Sequence, residues 1–174
     1  MKIPYVSNPP AFTDPDDKAV LERVQARRGD KGLIPLDLAL LHAPTVADDA
    51  IREIAICRPA LINKAWFEWK SHAPLLAQAE GFNQAKLETV KQLHPTGQGE
   101  LSDKEYAVLL YADEMTRSVA VADDTFARLQ SVGFSNQEIV EITATVATYN
   151  MVSRFLVALN IGELNGRDDL LNSV

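Results

Sequence analysis

Helical periodicity runs through nearly the whole chain. Between positions 15 and 28 the apolar residues Val20, Leu21 and Val24 recur three and four apart, the spacing that gathers side chains on one face of an α-helix. Thr13 or Asp14 ahead of Pro15 predicts the start of that helix, because a short oxygen-bearing side chain caps free N–H groups and proline suits the first helical position. Gly29 predicts its end. A short apolar piece over 36–41 stops near Pro44, and Thr45 then caps a segment carrying Ile51, Ile54 and Ile56, which Pro59 bends or restarts. Over 60–80 the same period predicts one long helix closed by Gly81. Asn83 opens the next, to about Leu93, with Phe82 and Leu87 as a staple, and 94–99 form a loop. Ser102 with Glu105 and Ser135 with Glu138 have capping-box spacing, each inside an apolar pair, Leu101 with Tyr106 and Phe134 with Ile139. They predict two helix starts, the later helix reaching about Leu159, with a shorter helix over 124–131 between them. No period-two run of β-formers is bounded by turn residues, so the expected fold is an all-α helical bundle. It forms a single domain over 1–174, with 1–12 and 163–174 peripheral and the tail after Gly162 loosely held.

Composition narrows the function. With 174 residues and 47% hydrophobic content the chain can bury a core without staples. Seventeen Lys and Arg against 24 Asp and Glu give a net charge of −7, and no basic cluster beyond Arg27 and Arg28 is available to neutralise phosphates, which argues against nucleic acid as a partner. The N-terminal residues lack the apolar run of a signal peptide, and no stretch is long enough to span a membrane. A cytoplasmic protein is expected. Cys57 is the single cysteine, so an intrachain disulfide, a thiol redox pair and a cysteine zinc site are excluded. His42 and His94 sit in no recognisable metal pattern, and neither metal nor cofactor is expected.

Candidate chemistry lies where polar groups interrupt apolar stripes. Leu61, Ala65, Glu68, His72, Leu75, Leu76 and Ala79 share one face of the 60–80 helix, where a carboxylate and an imidazole cost desolvation free energy unless paired. Glu68 and His72 are four apart, which brings them into contact as an acid/base pair or as a purely structural one. In the last helix Asn150 lies inside the apolar face, with Tyr149 beside it and Arg154 at the margin. Arg154 either forks an anionic substrate or closes a salt bridge to Glu53 or Glu68. Glu53 shares a face with Cys57, which reads as an inert core thiol. Trp66, Phe67 and Trp69 bracket Glu68 and suggest packing.

Arg52-Glu53-Ile54-Ala55-Ile56, then Phe67-Glu68-Trp69-Lys70-Ser71-His72, and later Tyr149-Asn150-Met151-Val152-Ser153-Arg154-Phe155 together resemble the carboxymuconolactone decarboxylase family, from about Arg28 to Ile161. The resemblance implies the all-helical alkyl hydroperoxidase D-like fold, assembled as a trimer or hexamer. In the peroxidase branch a Glu precedes, and a His follows, a C-x-x-C pair; position by position these fall on Glu53, Ala65, Glu68 and His72, so both sulfurs are missing and peroxidase or disulfide reductase chemistry is set aside. The decarboxylase-like branch remains, a cofactor-free lyase acting on a small carboxylate or lactone. It implies His72, Glu68 and Glu53 as catalytic residues and Arg154, Asn150, Tyr149 and Trp69 as substrate-binding ones. Arg154 would hold the acid, His72 would deliver a proton, Asn150 or Tyr149 would stabilise the dienolate, and Glu68 or Glu53 would orient the imidazole. The passage from Ala47 to Ile51 is shorter than the family pattern. The alternative is an oligomeric small-ligand-binding protein of the same fold that has lost its chemistry.

Overall fold

The computed structural model describes residues 6–33, 38 and 49–174. They divide into two compact units, Met1–Asp48 and Asp49–Val174. In the first, the Asp14 carboxylate accepts hydrogen bonds from the Asp16 and Asp17 N–H groups at 2.8 and 3.3 Å and starts α1 (Pro15–Arg28). Val20 and Val24 bury one side of it against Val6, Phe12, Leu21 and Leu33. Gly29 takes a positive φ of 54° and ends the helix as expected. Thr45, His42, Ala47 and all but Leu38 of the 36–41 piece lie outside the described residues.

The second unit contains α2 (Asp49–Ile62), α3 (Trp66–Ala77), α4 (Gln84–Lys91), α5 (Asp103–Ser118), α6 (Asp123–Ser131) and α7 (Asn136–Ala158). All described secondary structure is helical, and no described helix is long and apolar enough to cross a membrane. Both capping boxes form: Ser102 and Ser135 accept from the Glu105 and Glu138 N–H groups, while the two glutamates accept from the serine N–H groups. The Asn83 side chain caps α4 through the Lys86 N–H at 2.9 Å.

The centre of this unit is α2. It packs against α3, α5 and α7 and is buried on nearly every side: Ile54, Ala55, Ile56, Cys57, Arg58 and Ala60 have 1% exposure or less. That enclosure explains why Pro59 does not break it. Proline removes only its own bond to the Ala55 carbonyl, its carbonyl still accepts the Asn63 N–H at 3.0 Å, and the packing of the surrounding turn outweighs the loss. The buried Arg58 guanidinium ties α2 to its neighbours. It donates to Asp113 of α5 at 2.7 Å through Nε and again through Nη2, and to the Val90 carbonyl and, at 2.8 Å, the Gln92 carbonyl at the end of α4. Helix-terminal carbonyls without intrahelical partners are thereby satisfied.

The long helix expected over 60–80 is two elements. Lys64 adopts a φ of 55° between α2 and α3, so Leu61 and Ala65 do not continue the face that carries Glu68 and His72. Its C-terminus also comes early, at Ala77 with Gln78 as C-cap, and Gly81 instead turns the following loop at φ 70°. The tail is held more firmly than its composition suggests. Asp168 accepts from Lys64 Nζ at 2.8 Å and from the Trp66 indole N–H at 3.1 Å, and Leu164, Leu170, Leu171 and Val174 pack on the core.

Candidate functional site

Two helices bring the acid/base groups together. Glu53 sits in the enclosed middle of α2, 1% exposed, and His72 in α3 presents Nδ1 to its Oε2 at 2.7 Å. Arg52 grips the other oxygen, with Nη2 and Nε at 2.8 and 3.1 Å from Oε1. Burial by itself raises the Glu53 carboxyl, but the His72 hydrogen bond and the Arg52 charge outweigh it and hold the group below its ordinary value. An ionised carboxylate only accepts hydrogen bonds, so the ring hydrogen lies on Nδ1. That leaves Nε2 to exchange protons. The ring is about one-fifth exposed, neither in bulk solvent nor sealed. Tyr149 from α7 stands edge-on to it, centroids 5.2 Å apart at 83°.

Glu68 behaves differently. Its side chain is 3% exposed, and neither carboxyl oxygen has a hydrogen-bond partner among the described residues. The hydrogen bond with His72 expected from the spacing of four does not form; Nδ1 is turned instead to Glu53 of the neighbouring helix. With nothing to offset desolvation, burial lifts the Glu68 carboxyl to about 8, so it is a neutral acid at pH 7. Two carboxyls thus stand in opposite states close to one imidazole, the arrangement that divides acid from base roles. Burial, then the nearby Glu53 and Glu68, raise both the Tyr149 phenol and the fully buried Cys57 thiol, so neither is an anion at neutral pH.

The remaining expected residues lie elsewhere. Arg154 donates Nη1 to the Asn150 carbonyl at 2.9 Å and to the Asn150 side-chain oxygen, and Nη2 to the Thr116 carbonyl at 3.4 Å. It makes no ion pair with Glu53 or Glu68. Asn150 in turn donates to Thr116 Oγ1 at 2.9 Å and to the Val146 carbonyl at 3.0 Å. Both residues therefore fasten α7 to the end of α5. Trp69 is wholly enclosed in the core. Periodicity missed Arg52, which lies about 100° from Glu53 around the helix and reaches its neighbour only through the length of its side chain. Among the described residues no group of three or more His, Cys, Asp or Glu is placed to hold a metal ion. Compared with known proteins, the chain matches no family model and no curated protein.

Proposed function

We propose that the chain is a cofactor-free acid/base enzyme of the carboxymuconolactone decarboxylase type, acting on a small lactone or related carboxylate, with His72 as the proton carrier. The observation that carries this is the Arg52–Glu53–His72 relay, in which a buried, ionised carboxylate fixes one ring nitrogen and leaves the other to the substrate. Loss of carbon dioxide leaves its electron pair on the substrate as an enolate. Nε2, having first taken a proton from water so that the ring is an imidazolium held by Glu53, then delivers that proton to carbon, while Tyr149, edge-on to the ring, is a phenolic donor for the developing oxyanion. Arg154 is bonded to Asn150 and Thr116 and makes no ion pair with Glu53 or Glu68, so the substrate's carboxylate is not assigned to it.

Carboxylated and plain unsaturated γ-lactones are the probes, followed by carbon dioxide release and lactone loss. The wild type is expected to turn over at least one of them, and His72→Gln to lower turnover by about 10²- to 10⁴-fold, the usual contribution of a positioned acid/base group. Turnover unchanged in a folded His72→Gln variant removes the role.

A further inference from the structure

The outer side of α7 carries an apolar stripe that the fold does not use. Val140, Ala144, Ala147, Met151, Phe155 and Ala158 follow one another at intervals of four, three, four, four and three, and every one of them is exposed. At 100° per residue they fall within about 80° of one another, on a different side of the helix from the buried face of Ile139, Ile142, Val146, Asn150 and Ser153. Over 18 residues the stripe is about 27 Å long. Its large members are strongly exposed, Val140 at 67%, Met151 at 61% and Phe155 at 58%. No charged residue lies within the run, and the adjacent Arg154 is tied to Asn150 and Thr116. Beside its first half is an open groove of about 540 Å³, lined by Val140, Ala144 and Ala147 with Tyr111, Phe126 and Ile139.

We infer that this stripe is a two-fold interface between two copies of the chain, their α7 helices antiparallel and crossing near Ala147. The order of sizes points to a second copy as the occupant. Ala144, Ala147 and the groove occupy the first half of the stripe behind Val140, and the bulky Met151 and Phe155 the second, so reversing one helix against the other sets Met151 against a small residue and Phe155 against the shorter Val140. Met151 of one copy meets Ala144 and the groove of the other, and Phe155 meets Val140, while Ala147 lets the helices approach. A parallel pairing sets Met151 against Met151 and leaves the groove empty. The area also suffices: the exposed parts of these side chains, with Phe126 and Leu159 at the margins, amount to roughly 600 Å² per copy, so a pair buries about 1,200 Å², the lower bound of specific interfaces. A two-fold assembly needs a patch that complements itself, which the reversed pairing supplies. The inference is independent of the chemistry proposed at His72.

The test is mass in solution and cross-linking in the full chain. Sedimentation is expected to give even multiples of the 19.2 kDa chain, with Met151→Asp and Phe155→Asp halving the mass while leaving helical content unchanged, since both positions are exposed. The only native thiol, Cys57, is buried, so one introduced cysteine reads the register. Oxidised Ala147→Cys is expected to trap covalent dimers. Val140→Cys is expected not to, because antiparallel helices place the two copies of that residue about 20 Å apart. A monomer at all concentrations, an unchanged mass for both aspartate variants, or linking of Val140→Cys as readily as Ala147→Cys overturns the inference.

Discussion

The two glutamates of the candidate site differ by what surrounds them. Glu53 is charged because Arg52 and His72 hold it, so Glu53→Gln is expected to release the ring from its single tautomer and lower any turnover by about 10²-fold or more. Nitrogen NMR of His72 checks the cause directly: the hydrogen is expected on Nδ1 in the wild type and spread over both nitrogens in the variant. Glu68 has no such support. Its folded carboxyl binds a proton more tightly than the unfolded one, about 8 against 4.5, so between these pH values the native state holds more protons and stability falls as pH rises. The loss is on the order of 4 kcal/mol by pH 8, at about 1.36 kcal/mol for each pH unit, and is complete above that. Denaturant titrations across this range are expected to show the slope in the wild type and not in Glu68→Gln; equal slopes refute the neutral acid.

Elements marked by local chemistry were legible, and those decided by packing were not. Asp14 before Pro15, Asn83 and the two serine-glutamate boxes announce helix starts because each cap is satisfied within four residues of chain. Ser135→Ala should therefore cost about 1 kcal/mol, measurable as a lowered denaturation midpoint. The division at Lys64 and the uninterrupted passage through Pro59 were hidden, since a left-handed lysine and an enclosed proline are imposed by neighbouring helices rather than by their own sequence. The same distinction governs the site. Residues sharing one helix face were visible, whereas the bond from His72 to Glu53, nineteen positions away, depends on how α2 and α3 meet; the bond from Arg154 to Asn150, four positions before it, was open to the same spacing argument, but its reach to Thr116 of α5 was not. The Arg58 clamp belongs to this hidden class. Replacing Arg58 by Ala leaves two helix-end carbonyls without their donor and Asp113 with Arg117 alone, and is expected to destabilise the fold by about 3 kcal/mol, read by thermal or chemical denaturation.

At the scale of the whole molecule, the second unit is closed by its own C-terminal residues. Gly162 shows how tightly. It has a φ of 75°, and a Cβ there would stand 2.6 Å from the Phe67 ring, so Gly162→Ala is strained twice over and should loosen the tail at a cost of about 1–3 kcal/mol, seen as earlier proteolysis beyond Leu159. The two tryptophans turn this closure into an optical signal. Trp66 keeps its indole N–H on Asp168, while Trp69, three residues on, is sealed inside. Detachment of the last residues would therefore shift the emission of one indole toward the red and leave the other blue, so a spectrum resolving two fluorophores distinguishes fraying of the end from collapse of the centre without any label.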